Sequence, residues 1–187
     1  SLTKLASFIC VYTPFQIQIS STYSINDFKE DLKIMHNKAG LKEEGITFLL
    51  TDSQITNERF LIFVNDLLAS GEVPDLFAPD EVDALANGCV SRCKAAGIVP
   101  DKKNLWKFFI NEIKCNLHVV LAFSPVGDDF RNRAKKFPGL VSCTVIDWFQ
   151  PWPYQALFAV GQKFMNEVEI KVPAVRAAIE KFLPHSF

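Results

Sequence analysis

The stretch GITFLLTDSQI, residues 45–55, changes abruptly from an apolar run to a hydroxyl, a carboxylate and an amide. A nearly continuous apolar run of this length is typical of a strand that is covered on both faces, as in a parallel sheet flanked by helices. The polar residues Thr51 and Asp52 mark the carboxyl end of this strand, which is where open α/β sheets place their ligands. The stretch therefore predicts both a fold class and the position of a site.

Strand-like and helix-like patterns alternate along the rest of the chain. Residues 15–20 alternate like a half-buried strand, residues 117–123 form another apolar strand, and residues 144–148 form a further short one. Apolar spacing predicts helices between and after them, near the start and over about 26–39 (capped by Asn26 or Asp27 and stopped by Gly40), 57–70, 80–96, 103–116, 128–137, 153–168 and 172–183. Strands separated by helices predict βαβ crossovers, a mostly parallel sheet and a three-layer αβα sandwich.

Composition limits the classes of partner. The 187 residues are 49% hydrophobic, and 20 Lys and Arg residues oppose 21 acidic ones, so the formal net charge is −1. This balance predicts no nucleic-acid partner, and no apolar run approaches the roughly 18 to 20 residues of a membrane span, which predicts no membrane partner. The five cysteines are odd in number and lie mostly inside apolar segments, which predicts buried thiols in a reducing compartment. Cys89 and Cys93 would share a helix face, but no further ligand lies at zinc spacing, so no metal site is predicted there.

The histidines do not predict a catalytic group. His118 lies inside an apolar strand and is expected to be a satisfied core residue, whereas His36 and His185 lie in polar surroundings near helix ends. No Ser-His-Asp or Cys-His arrangement follows from these positions.

Two strands of the predicted sheet end in polar residues, at Thr51 to Gln54 and at Ser124-Pro125. An acid at this edge can hold Mg²⁺ through water or orient an attacking water, and a hydroxyl on the neighbouring strand can sense a phosphate. Alternatively, Asp52 caps the helix that starts near Asn57 or closes a turn. The 187 residues contain no Gly-x-x-x-x-Gly-Lys-Ser/Thr motif, so spacing alone leaves both interpretations open.

Two longer strings carry a family resemblance: ITFLLTDSQITNERFLIFVNDLLASGEVPDLFAPDE at 46–81 and LHVVLAFSPVGDDFRNRAKKFPGLVSCTVIDWFQPWP at 117–153. They resemble the fourth AAA+ module of axonemal dynein heavy chains, and the match extends from residue 1 to about 170. The resemblance implies a P-loop NTPase of AAA+ type that lacks its phosphate loop, because the family's loop ends at the position of Ser1 and Ser1 is its closing hydroxyl. Residues 1–170 are then the large α/β subdomain, and residues 171–187 are a helical segment that leads to the small subdomain and the stalk.

The same resemblance implies roles for individual residues. Thr51 and Asp52 occupy the places of the Walker B Asp, which positions Mg²⁺, and of the Glu, which orients water; Ser124 occupies the sensor-I place. Ser1, Thr51 and Asp52 would then be the residues near the Mg²⁺ ion that a bound nucleotide brings to the site. A neutral hydroxyl and a carboxylate one methylene shorter are expected to weaken hydrolysis more than binding. ATP or ADP with Mg is expected in the parent protein, and no cofactor is expected for the chain alone.

AAA+ rings also place an arginine of one module against the phosphates of its neighbour. Cys143 stands where related modules carry that arginine, which leaves Arg131 and Arg133 as candidates; the alternative is a solvated charged helix. An aromatic cluster is expected to serve core and inter-module packing rather than base stacking: Trp148, Phe149, Trp152 and Tyr154.

At the level of the whole protein, the resemblance implies a fragment of an ATP-driven, minus-end-directed microtubule motor of cilia and flagella, in which this module binds nucleotide and regulates. The alternative is a non-hydrolysing structural module that transmits conformational change between ring and stalk. The implied partners are neighbouring AAA+ modules of the same chain, and, through the parent, dynein intermediate and light chains and microtubules. The implied location is the cytoplasm and cytoskeleton, in the axoneme of a cilium or flagellum.

Overall fold

The structure, a computed structural model, describes residues 2–186. These residues form ten α-helices, three β-strands and two 3₁₀ turns, the turns being Asp52–Gln54 and Leu183–His185. In chain order the helices and strands are α1 (Leu2–Ile9), β1 (Thr13–Phe15), α2 (Ile25–Leu41), β2 (Ile46–Thr51), α3 (Phe60–Ser70), α4 (Pro79–Gly88), α5 (Val90–Ala95), α6 (Lys102–Asn116), β3 (Leu117–Ala122), α7 (Asp129–Lys136), α8 (Gly139–Ser142), α9 (Tyr154–Met165) and α10 (Pro173–Phe182).

The three strands form one parallel sheet in the order β1-β2-β3. β2 pairs with β3 from Ile46 opposite Leu117 to Thr51 opposite Ala122, so both strands end at the same edge. Five of the six residues of β2 are buried, as its apolar sequence predicts, while β3 is the outer strand of the described sheet and is only partly buried. The predicted α/β class with a parallel sheet is confirmed; the three-layer AAA+ sandwich stays a prediction.

Two predicted strands are wrong. Only Phe15 of residues 15–20 belongs to a strand, and the segment after it has no regular structure, although Ile17 is buried. The alternation there reflects a loop that buries Ile17 and packs Ile19 against the core, rather than a pleated strand. Residues 144–148 form no strand either, and Val145 within them is almost fully exposed rather than packed on a sheet.

The core forms where helices cover β2. Phe28 on α2 stacks on Phe60 of α3, with ring centroids 4.6 Å apart and planes 14° apart, and Phe28 also contacts the ring of Phe48 on β2. All three rings are essentially inaccessible to solvent. This aromatic packing fixes α2 and α3 against the central strand, and thereby fixes the position of the strand's polar end.

The ends of α2 differ from the prediction. The helix begins after Ser24, because Ser24 and Asp27 form a capping box in which the Asp27 carboxylate accepts from the Ser24 backbone N–H at 2.8 Å. The hydrogen bonds from the Ser24 hydroxyl and backbone lower the pKa of Asp27. Gly40 does not stop the helix: α2 continues to Leu41, and a Cβ at Gly40 would lie 2.3 Å from the buried ring of Phe109. Gly40 is therefore needed for the close approach of α6.

The chain divides into two compact units between Val145 and Ile146. The second unit contains α9, α10 and the second 3₁₀ turn, and its Arg176 binds Glu180 and Asn166. The predicted boundary near residue 170 falls inside this unit, and the assignment of large and small subdomains stays a prediction. The predicted core role of the aromatic cluster is wrong, since all four side chains are largely exposed: Trp148, Phe149, Trp152 and Tyr154.

The cysteines also differ from expectation. Cys89 and Cys93 are buried, but Cys10, Cys115 and Cys143 are exposed, so burial was wrongly predicted for three of the five. All five are free thiols. Among residues 2–186, no helix combines the length and the apolar character that crossing a membrane requires.

Candidate functional site

The site lies at the carboxyl edge of β2 and β3. Asp52 follows β2 directly, and its Oδ2 atom accepts a hydrogen bond from the backbone N–H of Ser124, just after β3, at 2.5 Å. The Ser124 hydroxyl accepts from the backbone N–H of Val126 at 3.3 Å and keeps its own proton to donate. The predicted proximity of Thr51, Asp52 and Ser124 at one sheet edge is confirmed, since the paired strands end together.

The second oxygen of Asp52 is bound by an arginine of the same chain. Arg133 Nη1 on α7 lies 2.6 Å from Asp52 Oδ1, and the two side chains are 15% and 38% exposed. The Arg133 guanidinium also lies over the ring of Phe123, 5.6 Å from its centroid. One of the two candidate inter-module arginines is thus engaged within its own module, while Arg131 is exposed and Cys143 is exposed at the end of α8.

Gln54 organises the turn that carries Thr51, and sequence reasoning missed it. The Gln54 Oε1 atom accepts from the Thr51 backbone N–H at 2.9 Å and from the Thr51 hydroxyl at 3.0 Å. Its Nε2 atom donates to the carbonyl oxygen of Ile17 at 2.6 Å. The signal in the sequence was an amide at the end of the polar run, but its partner Ile17 lies in a segment that was predicted as a strand.

We expect Gln54→Leu to lower the free energy of unfolding by about 2 kcal/mol, because the buried Ile17 carbonyl and the Thr51 N–H would lose their partners. Urea denaturation of the 187-residue chain measures the change. Gln16→Leu is the matched control at an exposed position, where we expect a change within about 0.5 kcal/mol. Equal effects of the two variants would contradict the role given to Gln54.

A cavity of about 340 Å³ opens at this edge, lined by Asp52, Ser53, Ser124, Val126, Asp129 and Arg133. Mg²⁺ requires oxygen ligands in near-octahedral geometry. Both oxygens of Asp52 already accept hydrogen bonds, and the Arg133 cation lies 2.6 Å from one of them. In this arrangement Asp52 does not fit as a ligand of Mg²⁺, whereas the Thr51 hydroxyl oxygen keeps lone pairs. Ser1, the third implied ligand, lies outside the described residues.

The expectations for two histidines are reversed in the structure. His36 is buried on α2, with its Nδ1 atom 2.7 Å from the Leu32 carbonyl oxygen and its Nε2 atom without a hydrogen-bond partner in the described chain. Burial lowers the pKa of His36 to about 4. His118 is exposed on β3 and stacks on Tyr12, with centroids 4.8 Å apart. Neither ring is at the site around Asp52.

The fold and the site define an α/β module whose polar residues converge at the carboxyl edge of a parallel sheet. The family described as "P-loop containing dynein motor region D4" matches residues 1–184. The chain therefore belongs to the dynein motor D4 family.

Its curated relatives are dynein heavy chains of cilia and flagella. The chain is 48% identical over all of its length to the flagellar outer-arm dynein alpha chain of Chlamydomonas reinhardtii, and 51% identical over 96% of its length to the beta chain of the same arm. It is 47% identical over 98% of its length to human dynein axonemal heavy chain 9. It spans about 4% of the length of each of these three relatives.

Proposed function

We propose that the chain is one AAA+ module of an axonemal dynein heavy chain, and thus part of an ATP-driven, minus-end-directed microtubule motor of cilia and flagella. The observation that carries this proposal is the identity of 47% to 51% to three such heavy chains over 96% or more of the chain. Residues 1–170 would belong to the large subdomain of the module, and residues 171–187 would lead toward the small subdomain and the stalk.

Within that motor, the module is a nucleotide-binding regulatory site with little or no turnover of its own. ATP or ADP with Mg would be held mainly by a phosphate loop of the parent chain, with Ser1 as its closing hydroxyl. Ser124 keeps a hydroxyl proton at the sheet edge, and Asp52 lines the same cavity. Asp52 is bound by Arg133, and the Thr51 hydroxyl donates to Gln54. These contacts support the proposal that the site does not orient an attacking water.

A second candidate is a non-hydrolysing structural module that transmits conformational change between ring and stalk. The ion pair between Asp52 and Arg133 favours it, because the carboxylate that would act on water instead holds α7. The two candidates differ in whether this module binds nucleotide. A regulatory module retains nucleotide at its own site in the purified heavy chain, and a structural module does not.

The partners follow from the same proposal. Neighbouring AAA+ modules of one chain would surround this module, with Arg131 on the exposed side of α7 as the remaining candidate for a contact with a neighbour's phosphates. Dynein intermediate and light chains and microtubules would be reached through the parent chain. The location would be the cytoplasm and cytoskeleton, in the axoneme.

We expect Asp52→Asn in the intact heavy chain to change microtubule gliding velocity by no more than about fivefold, the effect of a coupling free energy of about 1 kcal/mol. The reason is that both oxygens of Asp52 are already bound by protein groups, so that on the proposed function this site contributes little turnover for the substitution to remove. The equivalent substitution in the module that is the main hydrolysis site is expected to slow gliding much more.

Asp129→Asn is the matched control, since it removes the same charge from the same cavity. A complete stall of gliding with Asp52→Asn, but not with Asp129→Asn, would contradict the regulatory assignment and make this module a principal site of hydrolysis.

A further inference from the structure

The helix α7 carries charged side chains that pair with acidic residues near the carboxyl edge of the sheet. None of its eight residues is buried. Two ion pairs link it to the β2–α3 region: Arg133–Asp52, at 2.6 Å, and Lys136–Glu58, at 2.7 Å. A helix of this length is marginal by itself, so its order depends on these attachments.

The two ion pairs are not equivalent. Lys136 and Glu58 are 56% and 54% exposed, and a pair so open to solvent contributes little to stability. Arg133 is 15% exposed, and its partner Asp52 is further oriented by the Ser124 N–H. Hydrogen bonds between charged groups in such a setting are the stronger ones. The Arg133–Asp52 pair therefore dominates the docking of α7.

Asp52 joins three elements through one carboxylate. It follows β2, accepts from the backbone just after β3, and binds the guanidinium of α7. We infer that Asp52 and Arg133 form an ionic latch, in which Arg133 is a positioning residue that docks α7 on the sheet edge and sets the direction in which the helix presents Arg131.

The relation between the two arginines follows from helix geometry. Residues two apart on a helix do not share a face, so the arginine that turns inward to Asp52 leaves Arg131 on the other side, where it is exposed. Opening the latch frees α7 and changes the position of Arg131. The latch is inferred from contacts within the chain. Its effect on a neighbouring module rests on the proposed function.

Hydrogen–deuterium exchange of the intact heavy chain, followed by mass spectrometry, tests the latch. In Arg133→Met and in Asp52→Asn, we expect the backbone amides of α7 to exchange about tenfold faster, as for the loss of one hydrogen bond between charged groups. The double variant is expected to match the single variants, because the second substitution finds no partner left to lose. Lys136→Met is the matched control, with less than about a twofold change.

A conservative variant and a change of salt concentration provide two further tests of the ion pair. Arg133→Lys keeps one donor and the charge, which is sufficient for the single contact with Oδ1, and is expected to restore most of the protection. Raising NaCl from about 0.05 M to about 0.5 M is expected to speed exchange of α7 in the native chain but not in the double variant, since salt screens the pair. Peptides from β2 report whether each variant is folded.

Several results would overturn the latch: unchanged exchange of α7 in Arg133→Met, additive effects in the double variant, or no recovery in Arg133→Lys. Failure of the latch is distinguishable from failure of the proposed function. If Asp52→Asn abolishes gliding while the exchange of α7 is unchanged, Asp52 acts on the nucleotide and the latch is wrong. If α7 is released while gliding and nucleotide retention are untouched, the latch stands and the regulatory function fails.

Discussion

Phe28→Ala is expected to lower the free energy of unfolding by about 4 kcal/mol, within the range measured when a fully buried phenylalanine is truncated. Phe28 has no exposed surface and stacks on Phe60 at 4.6 Å, so alanine would leave a cavity between α2, α3 and β2. Urea denaturation of the 187-residue chain, monitored by circular dichroism, measures the change.

Phe164→Ala serves as the matched control for Phe28→Ala. Phe164 is 62% exposed on α9, and we expect its truncation to change the free energy of unfolding by less than about 0.5 kcal/mol. A loss below about 1 kcal/mol for Phe28→Ala would show that α2 is not held by this aromatic stack.

Acidification is expected to destabilise the chain through His36. Burial lowers the pKa of His36 from 6.5 to about 4, so the folded state binds a proton less readily than the unfolded chain. This contribution to stability is fully present above pH 6.5 and is lost as the pH falls through 6.5 to about 4. The loss amounts to roughly 3 kcal/mol.

The measurement is urea denaturation at a series of pH values, compared with His36→Leu. Leucine fills the apolar site without a proton to bind, so the variant is expected to lose the His36 part of the pH dependence and to keep that of the carboxylates. Parallel pH profiles for the two proteins would show that His36 binds its proton equally in the folded and unfolded states.

Two strands of the sheet could be predicted from the sequence, because each is a continuous apolar run. Residues 46–51 and 117–122 have this pattern and are β2 and β3, and the polar residues after them identify the site edge. The short β1 was not predictable in the same way, because only three residues pair and the following loop mimics alternation. The core role of His36 had a readable signal, since it lies four residues after the buried Leu32 on α2.

The contacts within the site could not be read from spacing. Arg133 is 81 residues from Asp52 in the chain, and nothing in its local sequence distinguishes it from Arg131. The choice between them depends on which face of α7 meets the sheet edge. Gln54 and Ile17 are a similar case, since a side chain bound to a distant backbone carbonyl leaves no periodic pattern.

The position of β3 at the margin of the sheet has a practical consequence. One side of its backbone has no strand partner among residues 2–186, and such an unpaired row of N–H and C=O groups is a template for another strand. In the purified chain, we expect a second molecule to add a strand there, so that the molecular mass in solution rises with protein concentration. Light scattering at increasing protein concentration measures this rise, and a constant monomer mass would show that the edge of β3 is protected.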